Sequence, residues 1–385
     1  MNSTMSIQKY RAEGLFDGTQ LHGPEKILIM DEAGRVLGLE STQGDDLDLP
    51  IEPCILMPGL INAHCHLELS HLKGVIPPHT GLIEFLCSVV TKRDFSPDRI
   101  QSAIQAAEAE MKADGIVAVG DIGNTADTLQ VKKSSTLWWQ NFVEVLSFTD
   151  AKSEEQMLHY TNVRNALQWD AAKTGNRFRS VLVPHAPYSI SPKTFDAINQ
   201  ATRGQIISIH NQEHPAENDL YKTGGGEYLK LFSIFGIPES PFPITGKNSL
   251  ESVLPHFTEG QTILLVHNTC TTEADIDIAV THARKYGLNL IWCLCPNANL
   301  YIENKLPPLE LLYQKGCKLV LGTDSYSSNW QLSIRAEIHT LRKHFPSFPL
   351  EVLLRMATRN GAEALQWDDV LGSFEKGKKP GLARL

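Results

Sequence analysis

The sequence predicts an α/β protein, a (β/α)8 TIM-like barrel with a small β-sandwich domain formed by both chain termini. Three observations carry this prediction. From about residue 55 onward, eight short apolar runs alternate with longer amphipathic stretches. The first 55 residues hold short apolar runs split by turn signals, with no helical period. The tail from Leu371 is broken by Gly and Pro, which stop a helix, and is expected to return to the N-terminal β unit. The expected division is 1–55 plus 366–385 for the small domain and 56–365 for the barrel.

The elements follow in order. Lys26 to Met30 and Arg35 to Leu39 flank Asp31-Glu32-Ala33-Gly34, the pattern of a β-hairpin. The barrel strands are expected at Ile55–Ala63, Ile116–Asp121, Phe142–Phe148, Ser180–Pro184, Ile206–His210, Thr262–His267, Asn289–Leu294 and Lys318–Gly322. Helices are expected at Pro97–Ala113, Ser153–Trp169, Pro192–Thr202, Thr272–Tyr286 and Gln331–Lys343. Apolar strands separated by helices argue for a parallel sheet covered on both faces. The alternative is an open doubly wound sheet, but no glycine-rich dinucleotide fingerprint follows the early strands. Residues 215–250 read as a long connection with Gly224-Gly225-Gly226 and several prolines, a candidate lid.

Composition narrows the partners. The 385 residues are 42% hydrophobic, enough for a large core, and carry a formal net charge of −9. That balance argues against a nucleic-acid surface, which needs clustered Lys and Arg. No apolar run reaches the roughly 18 residues that span a bilayer, so no membrane partner is expected. The N-terminus, Met1 to Arg11, has no apolar signal core. The seven Cys are scattered, without a CxxC pair, as expected of a reduced cytoplasmic protein. Cys293 and Cys295 lie in an apolar run and are expected to be core.

The chemistry gathers where the strands end. The first strand finishes in His64-Cys65-His66. Alternation sends residues i and i+2 to one face, so both imidazoles can point inward. Neutral imidazoles suit borderline divalent metals. The fifth strand ends in His210-Asn211-Gln212-Glu213, the sixth in His267, and the eighth in Gly322-Thr323-Asp324-Ser325. His210 and Asp324 complete a ligand set with His64 and His66. A bound metal acidifies water, and attack on a C=N or C=O carbon then needs a base and an acid. Glu213, three residues past His210, is the candidate proton shuttle. His267 is placed to orient the water, and Asp324 to ligate and to accept a proton.

These residues resemble the amidohydrolase superfamily. The resemblance begins at Pro58-Gly59-Leu60-Ile61-Asn62-Ala63-His64-Cys65-His66-Leu67. It runs on through His185-Ala186-Pro187-Tyr188-Ser189, His210 to Glu213, His267, Cys295-Pro296-Asn297-Ala298-Asn299-Leu300 and Gly322 to Ser325, in family order along nearly the whole chain. The branch resembled is that of the mononuclear nucleoside and nucleobase deaminases. The resemblance implies His64, His66, His210 and Asp324 as ligands of one divalent ion, Zn2+ or Fe2+. It implies Glu213, His267 and Asp324 as the catalytic groups, and Glu68, His185 and Asn299 as substrate contacts. No Lys ends the fourth strand, where dinuclear relatives carry one, which favours a single metal.

The implied activity is hydrolytic deamination of an aminopurine nucleoside with release of ammonia. His66-Leu67-Glu68-Leu69-Ser70 and Asn299-Leu300-Tyr301 are similar to the 6-aminodeoxyfutalosine deaminases of menaquinone biosynthesis. Hydrolysis of another C–N bond stays open: adenosylhomocysteine or methylthioadenosine, guanine, cytosine, a triazine or a cyclic amide. The acidic run after the fifth strand, His214 to Asp219, offers no Arg for the amino-acid end of adenosylhomocysteine. Members of the family are often dimers, so a homodimer is expected from the resemblance, although no interface is legible.

Overall fold

The computed structural model describes residues 6–168 and 175–385. The strands are β1 (Ile7–Phe16), β2 (Leu21–His22), β3 (Lys26–Asp31), β4 (Val36–Ser41), β5 (Glu52–Pro58), β6 (Leu60–Cys65), β7 (Ile116–Gly123), β8 (Trp138–Val145), β9 (Phe178–Pro184), β10 (Ile206–Asn211), β11 (Thr262–His267), β12 (Asn289–Leu294), β13 (Lys318–Leu321) and β14 (Leu382–Arg384). Strands β6 to β9 form one four-stranded parallel sheet and β10 to β13 another. Two seams join them. At one, the His210 amide donates to the His185 carbonyl at 3.0 Å. At the other, the Thr323 and Asp324 amides donate to the His64 carbonyl at 2.9 and 3.1 Å, beside a parallel bridge between Cys65 and Asp324.

The remaining strands lie in a sheet ordered β14-β5-β1-β3-β4, with β2 on β1. The long β1 changes partner along its length. Ile7 to Arg11 pair antiparallel with β3, and Ala12 to Leu15 pair parallel with β5. The tail strand β14 runs antiparallel to β5. This sheet has its own small apolar cluster, including Ala12, Leu15, Leu28, Met30, Val36, Leu56 and Phe374.

The parallel strands form where the sequence is apolar on both faces. In β11 every residue of Thr-Ile-Leu-Leu-Val-His is buried, as expected of a strand covered on both sides. The helix that follows, Glu273–Tyr286, starts at a capping box in which Thr272 and Asp275 exchange side-chain and backbone hydrogen bonds. It ends where Gly287 turns left-handed at φ 65.

Several expectations need correction. The run Ile55–Ala63 is two strands, not one, because the chain leaves the outer sheet at Pro58 and enters the inner one at Leu60. The break is at Gly59, where a Cβ would lie 2.3 Å from Val117 and 2.6 Å from the Pro380 carbonyl. The third inner strand begins at Trp138, four residues before Phe142, because Trp138 to Asn141 pair with β7. The stretch 215–250 is not a bare connection. It contains helices Pro215–Thr223, Tyr228–Ile234 and Ser249–Val253, whose inner faces bury Leu220, Tyr221, Tyr228, Leu231, Phe232 and Leu250. An unexpected helix, Leu82–Lys92, packs against the second of these. Helix Ser153–Ala166 stops before the expected end, and Trp169 lies outside the described residues. The helix expected from Gln331 starts at Ile334, because Ser333 caps it.

Candidate metal centre and pocket

The C-terminal ends of β6, β10, β11 and β13 bring five side chains together. His64 and His66 leave the end of β6, the second just past its last hydrogen-bonded residue. His210 lies on β10, His267 closes β11, and Asp324 follows β13. Ligand atoms of His64, His210, His267 and Asp324 all lie within 4.8 Å of one another. His66 Nε2 joins them, 3.3 Å from His210 Nε2 and 3.4 Å from Asp324 Oδ1. His64 Nε2 is 3.6 Å from the same oxygen. The intervening Cys65 is fully buried in the wall, where desolvation pushes its thiol pKa well up.

This donor set fits a divalent cation. Both ring nitrogens of His64 are buried without a hydrogen-bond partner, as is Nδ1 of His66, and buried polar atoms are rarely left so. His210 Nδ1 sits 2.7 Å from the His185 carbonyl, so it carries the proton and leaves Nε2 free to ligate. The Ser328 hydroxyl donates to Asp324 Oδ2 at 2.5 Å, which turns Oδ1 toward the imidazoles. Burial lowers the pKa of His66 to about 3 and of His267 to about 4, and holds His210 well below the usual range. For Asp324, burial pushes upward, but the surrounding imidazoles outweigh it and hold the carboxyl ionised. Neutral imidazoles beside an ionised carboxylate are the protonation state that metal binding requires.

The backbone is unusual here. Gln212, His267, Asn268 and Asp324 all have positive φ, at 45, 75, 59 and 57 degrees. Such conformations are costly for residues with a Cβ and cluster where a site demands a particular direction. The turn at Gln212 aims Glu213, which is buried beside the cluster with Oε1 3.6 Å from His267 Nε2. Burial, helped by the charge of Asp324, pushes its pKa well above the usual carboxylate range.

Glu217 holds that turn. Its Oε1 accepts from the Gln212 amide at 2.9 Å and the Ser249 hydroxyl at 2.5 Å, while Oε2 is buried without a partner. Burial raises its pKa from 4.5 to about 7, against the pull of those two bonds. The folded chain therefore keeps this proton in a range where the unfolded chain has lost it. The stability it contributes is complete below pH 4.5 and is lost as pH rises through about 7, with a slope of at most ~1.4 kcal/mol per pH unit. Glu217→Gln is expected to flatten that part of the pH profile in chemical denaturation. An unchanged slope would refute the assignment.

Of the three expected substrate contacts, two line the pocket above the cluster. Glu68 and His185 do, together with Glu144, Arg93, Tyr188 and Phe148. Asn299 does not. It is fully buried behind His267, with its Nδ2 3.2 Å from His267 Nδ1. Glu68 is largely engaged within the protein. Its Oε2 accepts from the amides of Asn124 and Thr125, both at 3.1 Å, and from the Thr125 hydroxyl at 2.9 Å. Gly123 allows this approach, since a Cβ there would meet Glu68 Oε2 at 2.9 Å. Burial, with the nearby Glu144 charge, raises the pKa of Glu68 to about 7.

Several buried charged groups escaped the sequence reading, among them one acid beside the pocket and one ion pair. Glu144 is the last residue but one of β8, and its signal was a single acid inside Phe142-Val143-Glu144-Val145-Leu146. Another is the pair of Asp121, on β7 beside Cys65, with Lys132. Lys132 gave no usable signal, because Lys132-Lys133 reads as a solvated basic step.

Comparison with known proteins agrees with this arrangement. The model of the amidohydrolase family matches residues 55–385. An aminodeoxyfutalosine deaminase from Nitratiruptor sp. is 27% identical over 327 residues, covering 82% of this chain and 76% of that protein. A 5-methylthioadenosine/S-adenosylhomocysteine deaminase from Caldanaerobacter subterraneus is 27% identical over 347 residues, covering 84% and 71%. The crystal structure of Helicobacter pylori aminofutalosine deaminase with methylthio-coformycin superimposes with a TM-score of 0.77 at 22% identity, over 97% of this chain and 91% of that one. At that identity the likeness speaks for the fold. Because the family model spans the inner strands and every residue of the His–Asp cluster, the chain belongs to the amidohydrolase family.

Proposed function

We propose that this protein is a metal-dependent aminohydrolase that removes the amine of an aminopurine nucleoside, of the aminodeoxyfutalosine or adenosine type, as ammonia. One observation carries the reading. A buried carboxyl held toward its protonated form, Glu213, stands beside His267 and Asp324 in a pocket floored by unpartnered imidazoles. The relatives at 27% identity carry the names of nucleoside deaminases.

In this reading His64, His66, His210 and Asp324 hold one divalent ion, Zn2+ or Fe2+. When bound, such an ion acidifies water and makes it nucleophilic near neutral pH. Glu213 gives its proton to the ring nitrogen next to the amine-bearing carbon, which makes that carbon electrophilic. His267, steadied by Asn299, orients the attacking water; Asp324 receives its proton and passes it to the amine, which leaves as ammonia when the C–N bond breaks, while Glu213 takes back the proton of the newly added hydroxyl. His185 faces the base. Burial keeps His185 neutral, with a pKa lowered to about 4, so it reads the ring by hydrogen bonding rather than by charge.

The same reading takes the eight parallel strands as a closed (β/α)8 barrel of residues 56–365. The chain ends, 1–55 and 366–385, then form a small β-sandwich domain. The seam hydrogen bonds and the separate apolar cluster support it. All seven cysteines are unpaired, which suits a reducing cytoplasmic setting, and no helix among the described residues is long and apolar enough to cross a membrane. A homodimer is consistent with the family.

The test is ammonia release by metal-loaded protein on a panel of adenine nucleosides. Absence of turnover on every member, with metal present, would sink the reading. Elemental analysis is expected to show about one equivalent of metal. Chelation is expected to abolish turnover and lower the thermal midpoint, because a ligand bound only to the folded state stabilises it. A chelated protein that keeps both would exclude a metal centre.

A further inference from the structure

One carboxylate oxygen of a residue that lines the pocket has no hydrogen-bond partner. Glu144 Oε1 accepts from the Asn124 side-chain amide at 2.9 Å. Its Oε2 is buried and has no partner. His185 Nε2 lies 3.9 Å from it, too far for a hydrogen bond. A buried acceptor left empty is destabilising, so one that persists in a binding pocket marks the place of a ligand's donor.

The neighbours show why Glu144 is left free. Asn124 acts as a switchboard between two acids. Its backbone amide satisfies Glu68, its Nδ2 satisfies half of Glu144, and its Oδ1 lies 3.4 Å from Arg93. Glu68 takes three donors on one oxygen and faces Arg93 at 3.5 Å with the other. It therefore serves the loop. Glu144 has one oxygen for the loop and one for the pocket.

An aminopurine nucleoside has few donors to offer. They are the exocyclic amine and the sugar hydroxyls. The amine must sit over the His–Asp cluster beside Glu213, since that is where it departs. The hydroxyls remain. We propose that Glu144 Oε2, rather than Glu68, accepts a hydroxyl of the substrate's sugar and so selects ribonucleosides over bare bases and deoxynucleosides. This rests on the deaminase reading and adds a binding residue to it.

The experiment compares adenosine with 2′-deoxyadenosine and 3′-deoxyadenosine in wild type, Glu144→Gln and Glu144→Ala, reading kcat/KM. Equilibrium binding of inosine and its two deoxy forms is measured in parallel by calorimetry. In wild type, above the pKa of about 7 to which burial raises Glu144, deletion of one of the two hydroxyls is expected to cost about 10- to 100-fold, the loss typical of a hydrogen bond to a charged group. In Glu144→Ala the same deletion is expected to cost less than about threefold, with Glu144→Gln between the two. A merely structural role would lower all substrates equally and leave the hydroxyl penalty intact, which overturns the proposal. So does a penalty that vanishes in Glu68→Gln and not in Glu144→Ala. If wild type turns over no nucleoside, the deaminase reading itself fails. If it turns them over without any hydroxyl preference, that reading stands and the role of Glu144 falls.

Discussion

Replacing Glu213 with Gln is expected to lower kcat by about 10²- to 10⁴-fold while metal content stays at the wild-type level. Gln fills the same volume and keeps a hydrogen-bonding group 3.6 Å from His267, so the pocket has no steric reason to collapse. It cannot, however, carry the proton that burial and the Asp324 charge hold on this carboxyl. A general acid must be protonated before it can act, and the upward shift from burial favours that state. KM is expected to move far less than kcat, because the lost contribution belongs to proton transfer. The check is steady-state kinetics paired with elemental analysis of the same sample. A metal-loaded Glu213→Gln protein running at full rate would remove the shuttle role.

The second large effect lies beside the site, at the neighbouring strand β7. Lys132→Met is expected to cost about 3–5 kcal/mol of stability, because it strands a buried charge. Lys132 is 3% exposed, pairs with the Asp121 carboxylate, and donates to Asn141 Oδ1 at 2.6 Å. Asp121 in turn accepts the Leu67 amide at 2.8 Å, directly after the proposed ligand His66. The pair therefore anchors the segment that carries two of the proposed ligands. Removing both charges, as Asp121→Leu with Lys132→Met, is expected to recover most of the stability, since a buried pair can be replaced by apolar groups at little net loss. It still frees the Leu67 amide, so metal affinity is expected to stay about 10- to 100-fold weaker. Chemical denaturation and metal titration separate the two effects. Equal stability of the wild type and Lys132→Met would show that Asp121 finds another partner.

Much of this arrangement was legible in the chain. The strands Thr262–His267 and Asn289–Leu294 begin and end as their apolar runs do, because a buried parallel strand has no polar alternation to blur its limits. The residues of the His–Asp cluster were legible for a related reason. Each sits where an apolar run stops, and a polar residue there has few other uses. Less legible was anything set by contact between distant segments. The break at Gly59 depends on Val117 and Pro380, and neither is near it in sequence. The helices inside 215–250 are short, five to nine residues, and owe their form to burial against the body of the protein rather than to their own periodicity. Asn299 is expected as a substrate contact from the resemblance of its motif alone; that it packs behind His267 is set by the fold.

By itself the sequence determined the candidates for the chemistry: the side chains proposed to hold a cation, the carboxyl proposed to carry a proton, and the strands on which they travel. Those are properties of residue type and of period along the chain. Only the tertiary structure decided the environment of each group. It left both His64 nitrogens bare, engaged Glu68 with the Asn124–Thr125 loop, and left Glu144 with one free oxygen. Desolvation and hydrogen-bond satisfaction depend on what surrounds a group in space, and those neighbours come from segments far apart in the chain.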